Sequence, residues 1–156
     1  MTEFSVHESS AQPPQAQATV ADVMRPAATT VDQNDHVAAA AYLLKRAGAS
    51  ALTVLGPTSG QPVGIFTETD IAHAVADGKD LNEVRIRDLM TRNPTVVPST
   101  ATIREAAVLM TSRRFRHLPV MDDTVLVGMV DVTDVCRALI EPDEFRQRAT
   151  GTARPQ

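Results

Sequence analysis

Two short stretches of the chain place similar side chains at the same spacing. Residues 64–70 read GIFTETD, and residues 128–134 read GMVDVTD. Each stretch ends in an aspartate, Asp70 or Asp134, at a point where a helix is expected to begin. Carboxylates accept hydrogen bonds from hydroxyl groups, and a helix N-terminus favours a bound anion. The first copy has Thr67 where the second has Asp131, so the two copies differ in charge at this position.

These stretches belong to a longer internal repeat. Met24 recurs 66 residues later as Met90, within a block in which the order of apolar and polar residues also matches. Beyond a loop that is two residues longer in the first copy, Gly64 recurs 64 residues later as Gly128. Loops absorb insertions more readily than strands do. The repeat therefore predicts one supersecondary unit built twice.

Each copy combines a helical period with short strands. Apolar residues in the i, i+3, i+4, i+7 pattern predict one buried helix face in each copy; they are Val37, Ala40, Ala41 and Leu44, then Ile103, Ala106, Ala107 and Met110. Thr102 and Glu105 predict a capping box at the start of the second of these helices. Apolar runs separated by Gly, Pro and Asp predict hairpins, and a further helix follows each. The predicted fold class is α+β, with two β-α-β-β-α repeats.

Composition narrows the possible functions. The chain has 156 residues, 43% of them hydrophobic, and a net charge of −4 with a pI near 5.5, so no overall basic surface for nucleic acid or anionic lipid is expected. The single Cys136 cannot form an internal disulfide. No basic and apolar leader is visible, and no apolar run approaches the length of about 18 residues that a membrane span needs. A cytoplasmic protein is expected.

The apolar pattern also sets the expected domain boundaries. Residues 1–19 and 142–156 lack a helical or strand period and are expected to be a disordered N-terminal tail and a flexible C-terminal tail. The repeats occupy 20–78 and 86–141. The weakly patterned segment 79–85 between them is expected to be a linker.

Together these motifs resemble a known family. The opening DVM or DLM, the helix, the stretch RHLPVMDD and the ending Gly-apolar-apolar-(Ser/Thr)-x-x-Asp are similar to the cystathionine beta-synthase (CBS) domain, here as a tandem pair like the stand-alone prokaryotic CBS proteins. The resemblance implies a pseudo-twofold module with two clefts that bind adenine nucleotides such as AMP, ADP or ATP. It also implies a regulatory role without catalysis, a homodimer formed through the CBS helices, and an unknown effector protein as partner.

The resemblance assigns roles in a first, nucleotide-binding cleft. It places Asp70 at the ribose hydroxyls, Thr67 at the phosphate or ribose edge and Ile65 against the base. Arg116 and His117 are implied to reach the phosphates. Their counterparts in the first copy carry no charge, so only one repeat supplies these cations.

The remaining site residues follow the same resemblance. Thr95 and Val96 are assigned to the nucleotide-binding cleft. A second, weaker site is assigned to Asp131, Asp134, Met129, Thr30 and Ser50. A carboxylate at 131 would repel a phosphate unless a cation intervenes. The second site is therefore expected to take a nucleoside, a metal-bridged nucleotide or nothing.

Several alternatives remain open at this point. Thr67 and Asp70 could serve only as a strand end and a helix start, and Asp131 could be a solvated loop acid. Arg113 and Arg114 are expected to end a helix, where cations complement its dipole. The sequence favours neither a metal site at Asp70 and His73 nor a nucleic-acid patch. It also gives no motif that would support an enzyme. A ligand-independent interaction or stress-response protein is the alternative function.

Overall fold

The computed structural model describes residues 17–26, 29–57 and 60–149. Residues 1–16 and 150–156, which include most of the expected N-terminal tail and the end of the expected C-terminal tail, lie outside the described residues. The side chains of residues 146–149 are not described.

The order of elements confirms the predicted repeat. The first repeat contains, in chain order, α1 (Val20–Val23), β1 (Arg25–Pro26), β2 (Thr30–Asp32), α2 (Val37–Ala47), β3 (Ala51–Leu55), β4 (Pro62–Thr67) and α3 (Glu68–Ala76). The second contains a 3-10 turn (Ile86–Asp88), β5 (Thr91–Arg92), α4 (Ile103–Arg113), β6 (His117–Asp122), β7 (Val125–Asp131) and α5 (Val132–Ile140), and α6 (Pro142–Ala149) follows. Where the first repeat has β2, the second has an isolated parallel bridge between Val97 and Val120. The α+β fold class is confirmed.

Most residues of the predicted helix faces are buried, while Ala41 and Ala107 are only half-buried. In α2 the buried residues include Val37 and Leu44, and in α4 they include Ile103 and Met110. The predicted capping box of α4 is also present, because the Thr102 amide donates to Glu105 Oε2 at 2.7 Å. Local sequence therefore determines where these helices lie and which face they bury.

Each sheet contains an edge strand from the other repeat. The first sheet has the order β2-β3-β4-β5, and the second has the order β1-β7-β6. Thr91 of β5 lies opposite Ile65 of β4. Arg25 of β1 lies opposite Met129 of β7. The segment that opens each repeat thus packs on its neighbour, and each sheet is completed only by the other half of the chain.

The two hydrophobic cores follow the same exchange. Ile86 and Met90, from the second repeat, are buried in the core of the first. Val20, from the first repeat, is buried in the core of the second. An isolated repeat would therefore expose part of its own core, which makes the pair the folding unit.

The segment 79–85 does more than connect the repeats. Its Leu81 and Val84 pack against the first core, and their carbonyl groups accept hydrogen bonds from the Ala38 and Val37 amides at 2.9 and 3.1 Å. These amides begin α2, whose N-cap residue makes no side-chain capping bond. The segment thus satisfies helix donors that would otherwise lack an intrahelical partner.

Helix α6 differs from the flexible tail expected from residue 142 onward. Pro142–Ala149 are helical, and α6 contacts α1 and α5. Phe145 is only 6% exposed and belongs to the second core. Composition alone suggested a tail because it does not show that Phe145 meets an apolar surface that buries it.

Gly128 is required where β1 crosses β7. A Cβ atom at this position would lie 2.6 Å from the Arg25 carbonyl oxygen and 2.7 Å from Met24 Sδ. We expect Gly128→Ala to destabilise the protein by about 1–3 kcal/mol because the crossing backbone must move. Val125→Ala is the control, since Val125 is 59% exposed on the same strand and should change stability by less than about 1 kcal/mol. Urea unfolding measures both, and equal stability of Gly128→Ala and wild type would contradict the close crossing.

Candidate functional site

Two of the clefts between the repeats contain most of the predicted site residues. The larger cleft has a volume of about 380 Å³ and includes Ile65, Thr67, Arg116 and His117 in its lining. The small cleft has a volume of about 140 Å³ and includes Thr30, Ser50, Met129, Asp131 and Asp134. The structure therefore brings together four of the seven residues assigned to the first site and all five assigned to the second.

Asp70 and Thr67 form a capping box at the start of α3. Asp70 Oδ2 accepts hydrogen bonds from the Thr67 amide at 2.7 Å and from Thr67 Oγ1 at 3.0 Å. Asp70 is partly buried and is not among the residues that line either cleft. The geometry thus matches the capping interpretation of this pair, while Thr67 also borders the larger cleft.

Thr95 and Val96 also lie outside the linings of the two clefts. They connect β5 to the bridge at Val97, and Val96 is exposed. At the matching place in the first repeat, Thr29 and Thr30 border the small cleft. The two clefts are therefore unequal in shape as well as in charge.

Arg114 is a cleft residue that the sequence analysis assigned only to a helix end. It forms the C-cap of α4 with a left-handed backbone, φ 57°, and it also lines the larger cleft with Arg116. The matching residue of the first repeat is Gly48, with φ 59° at the end of α2. A glycine adopts this conformation without strain, whereas an arginine does not. An arginine aligned with a C-cap glycine was the signal available in the sequence.

Arg25 is the second residue that sequence reasoning missed. Its Nη2 lies 3.5 Å from Asp131 Oδ2, and its Nε lies 3.9 Å from Asp134 Oδ2. β1 carries Arg25 to this place from the other repeat. Arg25 is therefore a cation of the protein itself that offsets the negative charge of Asp131. The sequence analysis had allowed for such a cation without identifying it.

Asp134 is the more buried carboxylate of the small cleft. Burial raises its pKa, a hydrogen bond from the Asp131 amide at 3.2 Å lowers it, the charge of Asp131 raises it, and Arg25 lowers it. The net shift is upward. Asp131 in turn caps α5, since its Oδ1 accepts from the Asp134 amide at 2.8 Å. The two aspartates are thus held by the helix start and by Arg25.

His117 stands between the two clefts. Its Nε2 lies 2.8 Å from Ser50 Oγ, and both residues line both clefts. Burial lowers the pKa of His117, and Asp131 opposes that shift while Arg116 and Arg25 add to it. The lowered pKa favours the neutral form of His117, and Arg114 and Arg116 remain as the permanently charged cations of the larger cleft.

Within residues 17–26, 29–57 and 60–149, no group of three or more His, Cys, Asp or Glu side chains is arranged to hold a metal ion. No helix in that part of the chain is long and apolar enough to span a membrane.

Comparison with known proteins identifies the family. The model of the CBS domain matches residues 20–77 and 86–141. The chain belongs to the CBS domain family. Its two repeats form a tandem CBS pair, as the sequence motifs indicated, and the architecture is that of a regulatory ligand-binding module.

Individual relatives agree with this assignment. The mitochondrial CBS domain-containing protein CBSX3 of Arabidopsis thaliana is 33% identical over 134 residues, 78% of this chain. The chain spans 65% of that relative's length, less than two thirds. A solved CBS domain pair of protein MJ0100, in complex with 5′-methylthioadenosine and S-adenosyl-L-methionine, matches with a TM-score of 0.74 at 27% identity, covering 82% of this chain and all of that chain. A hexameric CBS-CP12 protein from bloom-forming cyanobacteria matches with a TM-score of 0.74 at 26% identity, covering 92% of this chain and 79% of that chain.

The raised pKa of Asp134 makes stability depend on pH. The native state holds this proton more tightly than the unfolded chain, so the stability that the group contributes is complete below its unfolded pKa and is lost as pH rises through its native pKa. We expect Asp134→Asn to gain stability relative to wild type between about pH 4 and 7.

Arg25→Gln is the companion variant. It should enlarge the loss of stability that accompanies rising pH, because Arg25 lowers the pKa of Asp134. The double variant Arg25→Gln with Asp134→Asn should lose this extra dependence. Urea unfolding at a series of pH values measures the differences, and parallel stability curves for all four proteins would contradict the assignment.

Proposed function

We propose that this CBS pair binds an adenine nucleotide, AMP, ADP or ATP, in the larger cleft and signals the bound state by a change in conformation or assembly. The observation that carries the proposal is the meeting of Arg116, Thr67 and Ile65 in one cleft. A guanidinium group can bind phosphate, a hydroxyl oxygen can accept a hydrogen bond from a ribose hydroxyl, and an aliphatic side chain can pack on a base.

The size of the larger cleft supports this choice. Ligand pockets usually have volumes of about 300–1,000 Å³. The larger cleft, at about 380 Å³, falls within that range, whereas the small cleft, at about 140 Å³, falls below it. A whole nucleotide therefore fits the larger cleft better.

The charges of the larger cleft support a phosphate on one wall. Arg114 and Arg116 lie at the end of α4 and just before β6. Glu68 and Asp131 border the same cleft and disfavour an anion beside their own carboxylates. The phosphate is therefore assigned to the arginine side.

Asp70 is assigned to the ribose by the family resemblance. Its capping bonds end on Oδ2, so Oδ1 is the oxygen offered to a ribose hydroxyl. The relative solved with 5′-methylthioadenosine and S-adenosyl-L-methionine supports an adenosine moiety, since both compounds contain one. The nucleotide acts here as a regulatory ligand and not as a catalytic cofactor, and no enzymatic activity is proposed.

Assembly and partners complete the proposal. Large apolar side chains remain exposed on the helices, among them Tyr42, Val108, Leu139 and Ile140. We assign these faces to a homodimer formed through the CBS helices and to an effector protein in the cytoplasm. The hexameric CBS-CP12 relative supports self-assembly in the family without fixing the subunit number of this protein.

The alternative is an interaction or stress-response protein that binds no ligand. One observation favours it, because Thr67 and Asp70 satisfy each other in a capping box. Calorimetric titration with AMP, ADP, ATP and adenosine separates the two functions. Heat of binding with a stoichiometry near one AMP per chain supports the nucleotide sensor, and no binding at millimolar concentration supports the alternative.

Arg116→Ala tests the phosphate contact directly. Loss of a charge-assisted hydrogen bond should weaken AMP binding by roughly 1.5–3 kcal/mol, about tenfold to a hundredfold. Adenosine binding should change by less than about threefold, because adenosine has no anion to pair. Arg113→Ala is the matched control, since Arg113 lies in the last turn of α4 and does not line the larger cleft. Equal losses for AMP and adenosine would contradict the assignment.

Arg114→Gly should separate stability from binding. Glycine removes the strain of the left-handed backbone, so stability should rise by about 1 kcal/mol. AMP affinity should fall roughly threefold to tenfold because a phosphate cation is lost. Arg114→Ala should lose the same affinity without the gain in stability. Thermal unfolding and calorimetry measure the two effects, and unchanged AMP affinity in both variants would remove Arg114 from the site.

A further inference from the structure

The two clefts place different side chains on the same two backbone positions. β5 brings Thr91 to the edge of the larger cleft, and β1 brings Arg25 to the matching edge of the small cleft. The N-cap of the adjoining helix is Thr67 in the larger cleft and Asp131 in the small cleft. Two hydroxyl groups in one cleft therefore correspond to a guanidinium group and a carboxylate in the other.

The guanidinium and the carboxylate form an internal ion pair. Arg25 Nη2 is 3.5 Å from Asp131 Oδ2, and the side chains are 55% and 15% exposed. Asp134, whose side chain is 6% exposed, lies 3.9 Å from Arg25 Nε. Two carboxylates thus surround one cation in a site that is partly shielded from water, where charges interact more strongly than in bulk solvent.

We propose that the small cleft binds an uncharged nucleoside and excludes nucleotides. Asp131 already pairs with Arg25, which is the cation that a ligand phosphate would otherwise contact. This inference deepens the proposed function and rests on it for the nucleoside class. The two clefts of one chain are then selective for different charge states of related ligands.

An entering phosphate would meet an unfavourable site. It would have to separate Arg25 from Asp131 and would then lie beside two carboxylates, Asp131 and Asp134. The two carboxylates are only 15% and 6% exposed, so water screens their repulsion of an anion less than it would at the open surface.

An uncharged nucleoside meets none of these obstacles. The ion pair stays intact, and Thr30 and Ser50 offer hydroxyl groups while Leu126 and Met129 offer apolar surface to a base.

The test uses the full-length chain and four proteins titrated with adenosine and with AMP. They are wild type, Arg116→Ala, Arg116→Ala with Asp131→Thr, and that double variant with Arg25→Thr. Arg116→Ala weakens phosphate binding in the larger cleft, so that the small cleft can be observed. Threonine at 131 keeps a good N-cap for α5, as Thr67 does for α3.

Methyl NMR shows which cleft is occupied in each titration. The methyl group of Met129 reports on the small cleft and that of Ile65 on the larger cleft, since each residue lines only one of the two. Circular dichroism of the four proteins confirms that each is folded before titration.

In Arg116→Ala, adenosine should shift the Met129 signal with at least tenfold higher affinity than AMP. Asp131→Thr should free Arg25 and raise AMP affinity relative to adenosine affinity at this signal at least tenfold. Adding Arg25→Thr should remove the gain for AMP, because the freed cation is then absent.

Several results would overturn the inference. AMP and adenosine shifting Met129 with equal affinity in Arg116→Ala, or an unchanged AMP affinity relative to adenosine affinity in the Asp131→Thr variant, would do so. If AMP binds the larger cleft of wild type but neither compound shifts Met129 in any protein, this inference fails and the proposed function stands. If wild type binds no nucleotide but Asp131→Thr creates an AMP site that needs Arg25, the proposed function fails and the charge selection stands. Absence of binding to all four proteins contradicts both.

Discussion

The exchange of opening segments between the two repeats is the contact on which the rest of the structure depends. β1 packs on β7 and β5 packs on β4, and each crossing passes over a glycine, Gly128 or Gly64, where a Cβ atom would strike the crossing backbone. This exchange completes both sheets and both cores. It also brings residues from opposite repeats to the edge of each cleft, so binding and folding use the same contact.

A capping box sits at the edge of each cleft. Thr67 with Asp70 starts α3, and Asp131 with Asp134 starts α5. These residues satisfy helix amides that lack an intrahelical partner, and Thr67, Asp131 and Asp134 also face a cleft. A substitution at these positions therefore acts on helix stability and on binding together. For this reason the binding tests rely on the arginines, or keep a capping residue in place.

The pseudo-twofold symmetry of the backbone does not extend to the charges. One cleft has Thr67 and Thr91, with Arg114 and Arg116 nearby, while the other has an ion pair within the protein. Different side chains at a few edge positions therefore give the two clefts different electrostatic surroundings.

The sequence by itself determined the helix faces and the capping box of α4, because these depend on residues three to seven positions apart, and it showed the repeat through matching residues 64 or 66 positions apart. The motif that the two repeats share also predicted that Thr67 and Asp131 lie at the clefts. Only the tertiary structure decided that Arg25 pairs with Asp131 and that Phe145 anchors a helix in the expected tail. Those contacts join residues far apart in the chain, and their partners are fixed by strand exchange and core packing, which local patterns do not encode.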